Sequence, residues 1–271
     1  MAEYLSTKQT KITVNTLVKM KQCGEKIAIL TAYDYTTAKI LDQSGVDAIL
    51  IGDSAANVMC GYKSTVPISL NEMIVFAASV VRGVNRALVI CDMPFGTYSN
   101  PAEGVKNAIM IMQQTQCDAL KLEGGEEIID TIKAIISVGI PVMGHLGLTP
   151  QSINKFGTYA VRAKDDKEAR KLIDDAHLLE EAGCFGVVLE KIPAELSAKV
   201  SSEIAIPTIG IGGGVCDGQV LVVDDMLGKN KGFKPKFLRV YADLHQIITD
   251  AASAYVDDVK TMSFPSINEQ Y

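Results

Sequence analysis

Short apolar runs alternate with amphipathic segments along most of this 271-residue chain. Buried parallel strands are short apolar runs, whereas a surface helix repeats its apolar positions every three to four residues. Strands that alternate with helices predict βα units, and therefore an α/β fold of the (β/α)8 TIM barrel type. The predicted strands are 26–33, 46–51, 87–92, 118–123, 140–145, 185–189, 206–211 and 219–223.

A helix at 14–23, ended by Gly24, precedes the first predicted strand and adds an N-terminal helix to the barrel. Ser69 and Glu72 have the spacing of a capping box and predict a helix start there. No linker interrupts the chain, so we expect one domain over 1–271, with flexible tails at 1–12 and 261–271. The other predicted helices are 35–44, 69–81, 101–116, 126–138, 165–182, 194–203 and 237–260.

Polar residues able to do chemistry stand at the ends of five predicted strands. They are Asp53, Ser54, Asp92, Lys121, Glu123, His145 and Glu190. One such ending carries little weight, because strands commonly end on polar residues. In a closed barrel, however, the C-terminal strand ends share the face that carries the active site. The repeated pattern therefore predicts a catalytic site on that face.

Three carboxylates, those of Asp53, Asp92 and Glu123, end three different strands. Carboxylates held close together repel one another unless they are protonated or bound to a cation. Oxygen ligands suit a hard ion such as Mg²⁺, so a magnesium site is one interpretation. The alternative is that each acid caps a helix or forms a surface ion pair. Lys121 lies two residues before Glu123 on the same side of the strand, and a structural ion pair there is nearly as plausible as a substrate contact.

Glu190 and His145 are candidates for proton transfer. Glu190 follows an apolar strand, and a partly buried Glu has a raised pKa suited to acid–base chemistry. An ion pair with Lys191 is the alternative, although neighbours in a strand point to opposite faces. A lone His is more often structural than catalytic, but His145 ends a strand and opens a long loop.

The amino-acid composition limits the classes of partner that this chain is expected to bind. The chain is 48% hydrophobic and 21% charged, with a net charge of −6. This acidity disfavours nucleic acid and anionic membranes, which need clustered Lys and Arg, and no apolar stretch is long enough to span a bilayer. The six cysteines are scattered without a C-x-x-C motif, which is typical of a reducing compartment and predicts a cytoplasmic protein.

Several motifs occur together in a fixed order, and at these residues the chain resembles the ketopantoate hydroxymethyltransferase family over roughly 11–260. The motifs are TAYDY at 31–35, IGDS at 51–54, D-x-P-F at 92–95, K-x-E-G-G at 121–125, GHLGLTPQS at 144–152, VLE at 188–190, IGIG at 209–212 and DGQ at 217–219. Each motif alone is weak, but their joint order is specific. The chain departs from the family pattern at Ala55-Ala56-Asn57 and at Gly213.

The resemblance implies a Mg²⁺-dependent (β/α)8 barrel that transfers a one-carbon unit from 5,10-methylenetetrahydrofolate to 3-methyl-2-oxobutanoate. The product would be 2-dehydropantoate, in the first committed step of pantothenate biosynthesis. The family also forms homo-oligomers, and a decamer is expected here. By motif, Asp53, Asp92 and Glu123 would serve the metal, and Glu190 would accept the proton. The residues expected to contact the oxo acid are Asp53, Ser54, Asp92, Lys121 and His145.

Two other functions remain open. A lyase or mutase of the phosphoenolpyruvate mutase and isocitrate lyase type would also hold a Mg²⁺-bound 2-oxo acid on a barrel. The K-x-E-G-G and GHLGLTPQS segments argue against it. A barrel that binds a metabolite without turnover should lack a metal ligand or the base, and this chain has candidates for both.

Overall fold

A computed structural model describes residues 10–271. In it, eight parallel strands close into a barrel in sequence order, with the last strand hydrogen-bonded to the first. This confirms the predicted (β/α)8 barrel, including the eighth strand. The strands are β1 (Ile27–Thr31), β2 (Ala48–Ile51), β3 (Leu88–Asp92), β4 (Ala119–Glu123), β5 (Val142–Gly147), β6 (Gly186–Glu190), β7 (Thr208–Ile211) and β8 (Gly218–Leu221).

Helices follow most of the strands at the predicted places. They are α1 (Val14–Cys23), α2 (Tyr35–Ser44), α3 (Ala55–Val58), α4 (Leu70–Gly83), α5 (Pro101–Thr115), α6 (Ile129–Ser137), α7 (Ile153–Phe156), α8 (Asp166–Glu181), α9 (Ala194–Glu203), α10 (Val223–Met226) and α11 (Leu244–Lys260). Short 3₁₀ helices occupy Glu126–Ile128, Pro150–Ser152 and Ile267–Glu269. The predicted capping box of Ser69 and Glu72 is present at the start of α4. The prediction of a helix from residue 237 is wrong, because α11 starts at Leu244, where the Asp243 side chain caps it by accepting from the backbone N–H of Gln246.

The N-terminal helix α1 packs against the barrel core. Leu17 of α1 is fully buried and belongs to the same apolar cluster as Ile27 and Ile29 of β1. The extra N-terminal helix is thereby confirmed. Residues 1–12 are expected to form a flexible tail. Of these, 1–9 lie outside the described residues, and Ile12 is buried in the cluster with its N–H donated to the carbonyl of Arg86.

Interior positions change from apolar to polar along the barrel strands. Ile90 of β3 and Ala119 of β4 belong to the central apolar cluster. Because side chains alternate along a strand, Asp92 points to the same side as Ile90, and Lys121 and Glu123 to the same side as Ala119. The polar side chains therefore form a layer above the apolar core, at the C-terminal ends of the strands.

The described chain divides into two compact units. Residues up to Leu221 contain the barrel, and Val222–Tyr271 contain α10 and α11. The single domain over 1–271 stays a prediction, as does a flexible tail at 261–271. In the part of the chain that the structure describes, no helix combines the length and the apolar character needed to cross a membrane.

Candidate active site

Strand register brings four of the predicted side chains side by side. Asp92 of β3 lies opposite Lys121 of β4, and Glu123 of β4 lies opposite His145 of β5. The Lys121 ammonium is 3.2 Å from Oδ2 of Asp92 and 3.8 Å from Oε1 of Glu123. All four residues are buried. The barrel thus assembles acids, an ammonium and an imidazole from three adjacent strands.

Asp53 and Ser54 join this cluster from the end of β2. The backbone N–H of Asp53 donates to Oδ2 of Asp92 at 2.9 Å, and Asp53 is itself buried. Ser54 precedes α3 but makes no capping bond with its side chain. Its hydroxyl instead lies 2.7 Å from the hydroxyl of Tyr33. Gly52 permits this turn, because a Cβ there would stand 2.7 Å from the Ser54 oxygen.

His145 stands between the cluster and Glu190. Its Nδ1 lies 3.2 Å from the Lys121 ammonium and 3.3 Å from Oε1 of Glu123, and the other ring nitrogen, Nε2, faces Glu190. That Nε2 is 3.4 Å from Oε2 of Glu190. Burial, reinforced by the Lys121 ammonium, lowers the pKa of His145, which favours the neutral ring. Burial also raises the pKa of Glu190, whose side chain keeps 15% of its surface exposed.

Burial dominates the electrostatics of the carboxylates. It raises the pKa of Asp53 to about 6, with a further rise from the neighbouring Glu123. It also raises the pKa of Asp92 to about 7, against the lowering effect of the Lys121 ammonium. Burial acts to lower the pKa of Lys121, but Asp92 and Glu123 outweigh it and the net pKa rises. Lys121 is therefore a permanent cation among acids that are hard to ionise together.

The site offers oxygen atoms to a hard cation. Oδ1 of Asp92 and Oε1 of Glu123 are buried without a hydrogen-bond partner. Such orphaned oxygens are costly, and Mg²⁺ typically binds through one or two carboxylates plus water and substrate. Within residues 10–271, no group of three or more His, Cys, Asp or Glu side chains is arranged to hold a metal directly. The donor set therefore fits a hard cation such as Mg²⁺, with the carboxylates of Asp92 and Glu123 as its candidate ligands.

Two buried residues in the site have no role in the sequence-based prediction. Gln151, in the 3₁₀ turn after β5, donates from its side chain to Oδ2 of Asp53 at 2.9 Å and from its backbone to Oε2 of Glu123 at 2.9 Å. Tyr98, in the loop after β3, donates to Oε1 of Gln151 at 2.6 Å. Gln151 lies inside the GHLGLTPQS motif, which is the one sequence signal that pointed to it.

The simpler alternatives for the acids do not hold, whereas the ion pair given as the alternative for Lys121 is present. Asp53, Asp92 and Glu123 are buried and do not sit on the surface. Glu190 does not pair with Lys191, whose ammonium donates instead to the carbonyl of Tyr159. The geometry places all the predicted side chains at one end of the barrel, but their individual roles stay predictions.

Known proteins share both the sequence and the fold. A model of the ketopantoate hydroxymethyltransferase family matches residues 11–267. A 3-methyl-2-oxobutanoate hydroxymethyltransferase of Bacteroides thetaiotaomicron is 65% identical over 273 residues, covering 100% of both chains. Among solved structures, a phosphonopyruvate hydrolase in complex with oxalate and Mg²⁺ gives a TM-score of 0.61 at 10% identity, covering 95% of this chain and 93% of that one. A 2,3-dimethylmalate lyase of the phosphoenolpyruvate mutase and isocitrate lyase superfamily gives 0.57 at 14% identity, covering 95% and 90%.

The two kinds of likeness carry different weight. The solved structures are below 15% identical, so they show the shared barrel fold alone. The family model and the relative of equal length confirm the resemblance given by the ordered motifs. On these findings, the chain belongs to the ketopantoate hydroxymethyltransferase family of one-carbon transferases.

Proposed function

We propose that the protein transfers a hydroxymethyl group from 5,10-methylenetetrahydrofolate to 3-methyl-2-oxobutanoate with the help of Mg²⁺. The product is 2-dehydropantoate, a precursor in pantothenate biosynthesis. The observation that carries the proposal is the buried cluster of Asp92, Lys121 and Glu123, in which two carboxylate oxygens lack hydrogen-bond partners. Family membership supplies the substrates.

The metal would be held by the carboxylates of Asp92 and Glu123, whose Oδ1 and Oε1 atoms lack hydrogen-bond partners, with the Asp53 carboxylate beside them. When bound, Mg²⁺ supplies Lewis-acid polarisation of the 2-oxo group, which acidifies the neighbouring C3 position. The related fold of phosphonopyruvate hydrolase holds Mg²⁺ together with oxalate, whose two adjacent carboxylates present oxygens much as a 2-oxo acid does. That likeness is compatible with a 2-oxo acid and a divalent ion as ligands of this barrel.

Lys121 and Ser54 would orient the oxo acid. The Lys121 ammonium is buried beside Asp92 and Glu123, and its charge attracts the substrate carboxylate into a site that is otherwise acidic. The Ser54 hydroxyl is not used to cap α3 and is oriented by Tyr33, so it can donate to a substrate oxygen. His145, whose pKa is lowered by burial, stands between Lys121 and Glu190 and completes the wall of the site.

Glu190 would act as the base. Its carboxylate accepts the C3 proton of the oxo acid, and burial raises its pKa toward the range in which a carboxylate both accepts and returns protons near neutral pH. The C3–H bond breaks, and a C–C bond forms between C3 and the one-carbon unit. One water is consumed, and tetrahydrofolate leaves. The His145 ring, 3.4 Å from the Glu190 carboxylate, limits the movement of that carboxylate during this exchange of protons.

Turnover with defined substrates tests the proposal. Purified protein with 3-methyl-2-oxobutanoate, 5,10-methylenetetrahydrofolate and Mg²⁺ should form 2-dehydropantoate, and EDTA should abolish the reaction. Asp92→Asn keeps an acceptor for the Asp53 N–H but removes a negative charge, so it should lose most Mg²⁺-dependent turnover. Product formation at the wild-type rate by this variant, or in EDTA, would contradict the proposal. Cleavage of a 2-oxo acid such as phosphonopyruvate, without folate, would favour the lyase or mutase alternative.

A homo-oligomer, a decamer by family resemblance, and a cytoplasmic location complete the proposal. Size-exclusion chromatography with light scattering tests the assembly. Fractionation of the source cells tests the location.

A further inference from the structure

Gln151 uses every polar atom of its side chain inside the site. Its Nε2 donates to Oδ2 of Asp53 at 2.9 Å and to the carbonyl of Met93 at 3.0 Å. Its Oε1 accepts from the Tyr98 hydroxyl at 2.6 Å. Gln151 is 5% exposed and Tyr98 is 7% exposed. Buried amides are normally satisfied in this way, but here one of the partners is a carboxylate of the candidate active site.

The orientation of the Gln151 amide is fixed by its surroundings. A reversed amide would turn its oxygen toward Asp53 and Met93, which present only acceptor oxygens at these contacts. Tyr98 reinforces this orientation, because its hydroxyl oxygen accepts the N–H of Glu123 at 3.3 Å. Its own proton faces Oε1 of Gln151 at 2.6 Å and the Glu123 carbonyl at 3.3 Å, and the shorter contact is the one to Gln151. The hydrogen bonds of this network therefore all point one way, with donation from the backbone N–H of Glu123 to Tyr98, from Tyr98 to Gln151 and from Gln151 to Asp53.

The backbone of Gln151 connects this hydrogen-bond network to a second carboxylate. Its N–H donates to Oε2 of Glu123 at 2.9 Å. One residue thus holds one oxygen of Asp53 and one oxygen of Glu123, which end two non-adjacent strands. The remaining oxygen of Glu123, Oε1, has no hydrogen-bond partner. A neutral donor between two acids restrains them without adding a positive charge that would compete with a bound cation.

We infer that Gln151, oriented by Tyr98, is a positioning residue that fixes the Asp53 and Glu123 carboxylates for a divalent cation. The inference rests on the proposed Mg²⁺-dependent function. Groups that hydrogen-bond to metal-binding side chains set their orientation, and their loss typically weakens metal binding by about 10–100-fold. Without Gln151, the two acids would keep their charges but lose the donors that hold them apart in fixed positions.

Gln151→Met tests the inference, since Met keeps the length and the unbranched shape but removes the amide. The matched control is Gln219→Met, an identical substitution at an exposed position in β8, where the amide donates to the carbonyl of Gly214. Mn²⁺ serves as the probe, because its free aqua ion gives an electron paramagnetic resonance signal that disappears on binding. We expect the Mn²⁺ Kd to rise by about 10–100-fold in Gln151→Met and to stay unchanged in Gln219→Met. Tyr98→Phe should weaken Mn²⁺ binding in the same direction but by less.

Deuterium exchange at C3 of 3-methyl-2-oxobutanoate provides the second measurement. If Gln151 acts through metal positioning, exchange by Gln151→Met at low Mn²⁺ is slow and recovers as Mn²⁺ is raised. A loss of folded protein would not recover in this way, and circular dichroism reports the folded fraction directly. An unchanged Mn²⁺ Kd in folded Gln151→Met overturns the inference while leaving the proposed function intact. Absence of Mn²⁺ and Mg²⁺ binding by the wild-type protein instead overturns the proposed function and the inference with it.

Discussion

Glu190→Gln separates proton transfer from substrate binding. Gln has the size of Glu and keeps an oxygen facing Nε2 of His145, which lies 3.4 Å from the Glu190 carboxylate. It cannot accept the C3 proton of the oxo acid at any ordinary pH. We therefore expect the variant to fold and to bind 3-methyl-2-oxobutanoate nearly as well as the wild type, because Lys121 and Ser54 are unchanged. Proton removal itself should be impaired.

The size of the loss follows from the role of a general base. Such a base contributes about 10²–10⁴ in rate, which corresponds to about 3–5 kcal/mol of transition-state stabilisation. Burial raises the pKa of Glu190 above the ordinary value of 4.5. Since the ionised form is the active base, wild-type exchange should rise with pH through this raised pKa and then level off. Glu190→Gln should lose that rising limb as well as the rate.

Deuterium exchange at C3, followed by proton NMR without folate, is the assay. It isolates proton removal from the later C–C bond formation. Glu195→Gln is the matched control, because Glu195 is exposed at the start of α9, only five residues further along the chain. Wild-type exchange in Glu190→Gln, with its pH profile intact, would refute the assignment of the base. His145 would then be the next residue to test.

Two further predictions concern stability. Burial raises the pKa of Asp53 to about 6 and that of Asp92 to about 7 from a reference of 3.8, so the folded state releases these protons at higher pH than the unfolded chain. The metal-free protein should therefore lose stability as pH rises from about 4 to about 7. Over the same pH range, the increase in Tm that Mg²⁺ gives relative to EDTA should become larger. An increase in Tm that becomes smaller with rising pH would contradict this prediction. Gly147→Ala should lower the free energy of unfolding in denaturant more than Gly157→Ala, and equal losses would contradict the reasoning. Both glycines have positive φ, +94° at Gly147 and +68° at Gly157, so both substitutions carry a backbone cost of about 1–3 kcal/mol. A Cβ at Gly147 would also meet the Glu190 carbonyl oxygen at 2.3 Å, whereas nothing lies within 4 Å of a Cβ at Gly157. The steric clash therefore adds to the cost at Gly147 alone.

The sequence predicts the barrel well because each strand carries its own signal. In β3, apolar positions lead to Asp92, and in β4 the alternation that places Lys121 and Glu123 on one side is visible in the sequence alone. Once the strands close in order, register brings Asp92 beside Lys121 without further information. The C-terminal helix is predicted less well, because an apolar pattern from residue 237 does not show that Asp243 caps the helix at Leu244.

The hydrogen-bond network of Tyr98 and Gln151 cannot be predicted from hydrophobic periodicity. Tyr98 lies in a loop with no periodic pattern, and its partner Gln151 follows a different strand. Their contact depends on the path of two loops and on a 3₁₀ turn at Pro150–Ser152, neither of which hydrophobic periodicity encodes. A motif can mark Gln151 as part of a family pattern. Only the coordinates show that it touches both Asp53 and Glu123.

The barrel separates the source of its stability from the site of its chemistry along the same strands. A polar layer of buried acids costs free energy, because each charge leaves water and the acids repel one another. The layer beneath it is apolar, and Leu17 of α1 packs into that layer with Ile27 and Ile29. Burial of this apolar surface stabilises the fold by about 25 cal/mol per Å², which offsets the cost of the polar layer above it. The polar layer can therefore keep oxygens such as Oδ1 of Asp92 without a hydrogen-bond partner and available to a cation.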